Sequence, residues 1–309
     1  LLLCGDNPKM REVRDIIEQV ADTDITVLVR GETGTGKELV ARTLYQLSGR
    51  RDQPFVKVNC AALPSELLES ELFGFEKGAF TGAQKRKLGK FEYANHGTIF
   101  LDEISEMHPS LQAKLLQVLQ DGEFSRLGGE SDVRVDTRII AATNRNLEEA
   151  VADGSFREDL YYRLNVVTIQ IPPLRDRTDS IPLLVDYFLQ KNNEQYKKDL
   201  KQLSPETMNV FMQYHWPGNV RELENMVRRM VVLGNEQAVL EEIALRGGAA
   251  GREEEPTETL DLEAMGVDFS SGEGIDLKAI SRRAAQVAEK RVIERVLQQT
   301  RWNRKEAAE

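Results

Sequence analysis

Ile25-Thr26-Val27-Leu28-Val29-Arg30-Gly31-Glu32-Thr33-Gly34-Thr35-Gly36-Lys37-Glu38 passes from a short β-branched run into a glycine loop. Leu39, Val40, Ala41 and Leu44 then recur at helical spacing. The order strand, glycine loop, helix decides the fold class. An apolar run without alternation suits a strand buried on both faces, as in a parallel sheet. The glycines let backbone N–H groups converge on phosphate oxygens, the helix N-terminus adds partial positive charge, and Lys37 reaches the β- and γ-phosphates. The general pattern wants Ser or Thr after the lysine. Glu38 stands there instead and removes the hydroxyl that usually ligates magnesium. The alternative is a glycine-rich turn with no ligand, which the flanking strand and helix argue against.

Four more runs read as strands: Pro54–Asn59, Thr98–Asp102, Thr137–Ala142 and Asn165–Ile171, the last stopped by Pro172-Pro173. Thr98-Ile99-Phe100-Leu101-Asp102-Glu103 is an apolar strand ending in acids. Asp102 would hold magnesium, directly or through water, and Glu103 is placed to polarise an attacking water. Two solvated acids ahead of the Ser110–Gln120 helical region are the bland alternative. Asn59 passes by itself for a strand-end turn residue, and Asn144 for the cap of a Leu147–Val151 helix. Helical segments run from Ile181 onward. Trp216-Pro217-Gly218-Asn219-Val220-Arg221 stops one helix and starts another, with Asn219 a plausible cap. Arg221 falls in the first turn, where the helix dipole disfavours a cation and an anionic ligand would account for it.

Glu71–Ala83 reads ELFGFEKGAFTGA, and within it Gly78-Ala79-Phe80-Thr81-Gly82-Ala83 carries no charge. Gly78 and Gly82 suit a tight, mobile loop tip that presents Phe80. Loop physics alone leaves two readings open: a partner buries Phe80, or the ring tucks back into its own core. A second glycine-bounded segment, Gly122–Gly129, reads as a β-hairpin. In Phe156–Leu164, FREDLYYRL, Arg157 and Arg163 sit on different sides of one helix, where each is most simply a surface ion-pair partner.

Composition sets the outer bounds. The chain has 309 residues, 40% of them AVILMFWYC, enough for about two domains. No apolar run reaches the length of a membrane span, and Leu1-Leu2-Leu3-Cys4 is too short for a signal-peptide core. Cys4 and Cys60 show no pairing pattern and His96, His108 and His215 no ligand spacing, so a reducing cytoplasm fits. A net charge of −10 argues against a protein that coats nucleic acid over its whole surface. From Gly247 to Asp276 one basic residue, Arg252, faces nine acids, which reads as a flexible acidic linker. From Lys278 to Lys305 the balance inverts, and Leu277, Ile280, Ala284, Val287, Ile293 and Val296 recur at helical spacing.

Together these strings resemble the sigma-54-dependent transcription activators (bacterial enhancer-binding proteins, NtrC-like), which are AAA+ ATPases. The resemblance covers nearly the whole chain, and GAFTGA at 78–83 is among its most specific elements. The family commonly has GxTGTGKE or GESGTGKE, so Glu38 is itself family-like. The resemblance implies an α/β fold: an AAA+ P-loop NTPase core over 1–173, with a parallel five-stranded sheet between helices, and a helical lid over 174–245. An acidic linker over 246–276 and the N-terminal part of a Fis-type helix-turn-helix over 277–309 would follow. The chain reaches Glu309 before any recognition helix. ATP and Mg2+ are the implied cofactors, bound by Gly31, Glu32, Thr33, Gly34, Thr35, Gly36, Lys37 and Glu38, with Asn144 as sensor I and Arg221 as sensor II. Asn59 would contact Glu103 and gate it, and Arg157 and Arg163 would act as fingers in a neighbouring subunit's site. That last role implies a hexameric or heptameric ring. The implied partners are sigma-54 and RNA polymerase holoenzyme, touched by Gly78, Ala79, Phe80, Thr81, Gly82 and Ala83, and enhancer DNA through a complete C-terminal domain. Some members belong to two-component systems. Two other readings keep parts of this pattern: an AAA+ machine acting on other cargo, and a nucleotide-sensing DNA-binding scaffold without hydrolysis.

Overall fold

The computed structural model describes residues 7–200 and 202–250. Its strands are β1 (Val27–Arg30), β2 (Phe55–Asn59), β3 (Gly74–Phe75), β4 (Lys87–Leu88), β5 (Thr98–Asp102), β6 (Glu123–Ser125), β7 (Asp132–Arg134), β8 (Arg138–Thr143) and β9 (Val167–Gln170). The helices are α1 (Pro8–Val20), α2 (Lys37–Gln46), α3 (Ser65–Phe73), α4 (Lys90–Tyr93), α5 (Pro109–Asp121), α6 (Leu147–Ala152), α7 (Glu158–Leu164), α8 (Ile181–Tyr196), α9 (Pro205–Gln213), α10 (Asn219–Leu233) and α11 (Gln237–Ala250).

The five expected strands form one parallel sheet in the order β2-β5-β8-β1-β9. Because successive side chains of a strand face opposite sides, the sheet divides two cores. Leu28, Ile99, Leu101 and Ala141 pack with α3, α5 and the Phe73–Phe91–Phe124 group. Val27, Val29, Phe100 and Ile140 pack with α1 and α2. Burial on both faces explains why these strands read as continuous apolar runs. Arg138 opens β8 almost fully buried, and its Nη2 donates to the Val20 carbonyl at 2.8 Å, tying the end of α1 to the sheet.

A third core belongs to the helical segment from Leu174 onward, where Phe188, Phe211, Trp216, Leu223 and Met226 pack together. Trp216 is buried and its indole N–H donates to the Phe211 carbonyl at 2.8 Å. Helix α11 runs to Ala250, past the 245/246 boundary that the resemblance implies, and the chain divides into units after Gly247. Cys4, the remainder of the acidic linker and the basic tail at 277–309 lie outside the described residues.

Two capping assignments differ from the sequence reading. Asn146, not Asn144, caps α6: its Oδ1 accepts from the N–H groups of Glu148 and Glu149. At the other site Gly218 is the residue before α10, whereas Asn219 is its first residue, with φ 52° and a fully buried side chain used elsewhere. In both cases the asparagine near the helix start does a tertiary job, which local spacing does not reveal.

Candidate functional site

The parallel sheet delivers its chemistry to one edge. At the C-terminal ends of the strands stand the loop after β1, Asn59 of β2, Asp102 of β5 with Glu103 just after it, and Asn144 just after β8. Open α/β sheets bind ligands at this edge. Here it forms a cavity of about 300 Å³ whose lining includes Lys37, Asn59, Asp102 and Glu103.

The glycine loop is shaped as a cradle. Gly34 and Gly36 take φ of 82° and 107°, a region that side chains with a Cβ resist. A Cβ at Gly36 would meet no atom within 4 Å, so open space lies beside the loop. Thr35 donates its N–H to Glu32, and Leu39 and Val40 donate theirs to Gly36. The N–H groups of Gly36, Lys37 and Glu38 take no protein acceptor among the described residues, and no side chain caps α2. Unpaired amides at a helix start are an anion site. The Lys37 ammonium, nearly buried, donates to the Gly31 carbonyl at 3.0 Å and lies 3.4 Å from Glu103. These residues fit a polyphosphate.

Glu103 has φ 55°, uncommon for a residue with a side chain, and strain of this kind collects at functional sites. Its carboxylate accepts from the Asn144 N–H at 3.3 Å, while the Asn144 amide donates to Thr33 Oγ1 at 3.0 Å. Asn144 therefore bridges the acid and the glycine loop. Burial pushes the Asp102 carboxyl above its ordinary value and the Glu103 charge adds to this, against the pull of Lys57 and Lys37. No cluster of three or more metal-ligating side chains occurs among the described residues. Asp102 alone suits Mg2+, which commonly takes one or two carboxylates and completes its shell with substrate phosphates and water.

Glu38 lines the same cavity. Its carboxylate pairs with Lys57 at 2.6 Å and with Arg42 at 2.9 Å. Burial raises its pKa, but the hydrogen bonds from Lys57 and Arg42 outweigh burial and hold it below its ordinary value. Asn59 lines the cavity, yet its Oδ1 accepts from the Ala61 N–H at 2.9 Å and makes no hydrogen bond to Glu103. Glu32 faces away from the phosphate cradle into a two-pronged pair with Arg175, whose hydrogen bonds hold it below its ordinary pKa. Arg221 reaches the cavity lining from α10. Arg157 and Arg163 do not line it: Arg157 pairs with Asp159 through two hydrogen bonds, and Arg163 donates to the Leu119 carbonyl at 3.2 Å.

The sequence reading missed several helical-segment residues of the lining: Arg177, Tyr187, Phe188, Lys191 and Glu224. They carry no motif spacing, and only the buried charge of Arg177 marks one of them.

The 78–83 segment tips a hairpin formed by β3 and β4. Gly78 and Ala83 close it with a 2.8 Å hydrogen bond, and both glycines have positive φ with open space around them. Phe80 remains 46% exposed, resting edge-on against Phe75 with ring centroids 4.9 Å apart, so the ring does not tuck back into the core. Ala83 is buried. The Gly122–Gly129 segment is the expected hairpin start (β6, β7), and it braces the first loop: Glu76 donates to Leu127 and Leu127 to Gly74, at 3.0 and 3.1 Å.

Residues 3–170 match the family described as the sigma-54 interaction domain, 175–259 the AAA+ ATPase lid domain, and 285–309 the Fis family of bacterial regulatory proteins. A Nif-specific regulatory protein of Herbaspirillum seropedicae is 56% identical over 74% of this chain and 42% of its own length. The DNA-binding transcriptional regulator NtrC of Rhizobium meliloti is 50% identical over 78% and 50%. The chain thus spans about half the length of the curated relatives it matches. Among solved structures, NtrX of Brucella abortus in complex with ATP superposes with a TM-score of 0.73 at 38% identity, covering 85% of this chain and 58% of that one. With its parallel sheet, glycine loop, lid and GAFTGA hairpin in place, the chain belongs to the sigma-54 interaction domain family of AAA+ P-loop proteins.

Proposed function

We propose that this chain is the ATP-hydrolysing part of a transcription activator that remodels sigma-54 RNA polymerase holoenzyme toward the open complex. The carrying observation is the convergence of unpaired loop amides, Lys37, Asp102 and Glu103 on one cavity. In this reading Lys37 and the amides of 36–38 hold the phosphates of ATP, and Glu103 orients and polarises the attacking water. Asp102 would hold Mg2+, which supplies charge neutralisation on the phosphate oxygens when bound. Asn144 keeps Glu103 in register with the glycine loop. Arg221 faces the nucleotide from the lid, and Arg157 and Arg163 serve the cavity of the next subunit in a hexameric or heptameric ring. Neither arginine lines this chain's own cavity, which supports that reading.

A continuous run of chain supports coupling between hydrolysis and Phe80. Asn59 is the register partner of Asp102, and Cys60 donates its N–H to the Asp102 carbonyl at 2.9 Å. Helix α3 follows and ends at Gly74, where the hairpin begins. Loss of the γ-phosphate would change what Asn59 and Glu103 contact, and α3 would carry the shift to residues 78–83. Such a switch requires contacts that differ between the two nucleotide states. DNA contact at enhancers belongs to a complete C-terminal domain.

Two measurements test this. Glu103→Gln should cut steady-state ATP hydrolysis by roughly 10²–10⁴-fold while retaining ATP binding; equal turnover in the variant would remove Glu103 from the mechanism. Phe80→Ala or Thr81→Ala should abolish sigma-54 open-complex formation while ATP turnover persists, and retained activation would point to other cargo. Light scattering after size exclusion, with and without a transition-state ATP analogue, should show assembly into the ring.

A further inference from the structure

We infer that Asn219 and Arg177 are positioning residues that grip the glycine loop from behind and aim its amides into the cavity. The inference rests on the reading that the cavity binds ATP. Three successive loop carbonyls are taken by donors from the lid side. Asn219 Nδ2 donates to Thr33 O at 3.1 Å, the Arg221 N–H to Gly34 O at 3.3 Å, and Arg177 Nη2 to Thr35 O at 2.8 Å. In a planar trans peptide the C=O and the following N–H point opposite ways. Drawing the carbonyls of Thr33 and Thr35 outward therefore turns the N–H groups of Gly34 and Gly36 to the other side.

Asn219 is fully buried; its Oδ1 accepts from the Leu174 N–H at 2.8 Å, and its Nδ2 also donates to Glu32 at 3.1 Å. Its φ of 52° is one that Asn tolerates better than most residues. Glycine would keep that backbone but lose all three side-chain contacts, and aspartate would keep the acceptor and lose the donor. Arg177 is buried to the same degree, its Nη1 against Met10 sulfur at 3.4 Å and its Nε without a partner. Burial lowers it to about 10, which still leaves it charged at neutral pH. The two backbones touch: a Cβ added to Gly34 would fall 2.4 Å from the Gly218 carbonyl. Loop shape and lid placement are thus one variable, and the lid registers phosphate through the loop's carbonyls as well as through Arg221.

The test uses the full chain with Asn219→Asp, Arg177→Met and Arg177→Lys. Asn219→Asp and Arg177→Met should each raise the KM for ATP about tenfold, more than they lower kcat, because they disturb ground-state phosphate contacts. Arg177→Lys, which keeps one donor for Thr35, should recover part of the loss. A purely structural role would lower the thermal midpoint and the active fraction but leave KM unchanged, and that result overturns the inference. Wild-type protein that binds no ATP would instead overturn the reading on which it rests. Should the variants fail to fold, a crystal structure of the wild type with a non-hydrolysable ATP analogue decides. Asn219–Thr33 and Arg177–Thr35 contacts retained, with Gly34 and Gly36 amides on phosphate oxygens, support it; contacts beyond about 3.5 Å overturn it.

Discussion

Asp102 illustrates how a site residue works against the fold that holds it. Its carboxyl is raised by burial and by Glu103, so the folded protein binds a proton there more readily than the unfolded chain. A raised carboxyl contributes stability that is fully present below the unfolded value of about 3.9 and is lost as pH rises through the folded value. At pH 7 the ionised Asp102 is therefore a liability without a bound cation. Asp102→Asn should raise the thermal midpoint of nucleotide-free protein at pH 7, and the gain should shrink as pH falls and vanish only below the unfolded value of about 3.9; a pH series of melting curves reads this directly. The same variant should lose Mg-dependent turnover. Lys37, Asp102 and Glu103 were legible in the sequence because each follows an apolar strand or a glycine loop at fixed offset. Asn219, Arg177 and Arg175 were not. Their partners lie about 140 to 190 residues away, and no local period encodes such a contact.

At the scale of elements, apolar runs named all five strands to within a few residues, but not their order. β8 lies between β5 and β1 because crossovers, not sequence adjacency, set neighbours in a parallel sheet. The Gly122–Gly129 hairpin was legible from its glycines, whereas the β3–β4 pairing beneath the 78–83 loop tip and the bridge joining Phe75 to Leu127 were not, since short edges meet there, the bridge across fifty residues. That bridge makes the GAFTGA hairpin a braced element. Gly128 has φ 69°, and a Cβ there would sit 2.8 Å from the Ala79 Cβ. Gly128→Ala should combine left-handed strain of about 1–2 kcal/mol with this clash and loosen the brace. Trypsin should then cut at Lys77, Lys85 or Arg86 severalfold faster than in wild type, with the midpoint of global unfolding little moved. Unchanged cleavage would show that the second loop does not restrain the first.

On the scale of the whole molecule, residues 7–247 hold separate cores, two on the faces of the sheet and one in the lid. Separate cores unfold as separate cooperative units unless something links them, so a single two-state melt is not assured. Polar links tie the lid to the glycine loop of the sheet: Arg175 to Glu32, Asn219 to Thr33, Arg177 to Thr35. A nucleotide lying between Lys37 and Arg221 would add contacts to both sides at once. An ATP analogue with Mg2+ at about one hundred times its Kd should stabilise the native form by ~2.7 kcal/mol. For a body of this size that corresponds to a midpoint shift of roughly 5–11 °C. The lid should gain as much as the sheet. Leu223→Ala, which opens a cavity in the lid core at a cost of about 2–5 kcal/mol, should split the nucleotide-free calorimetric trace, with the lid melting first. Adding the analogue should draw the two transitions back together, because ligand bound across both units is lost when either opens. A lid transition that stays put while the sheet transition rises would mean that nucleotide is held by the core alone.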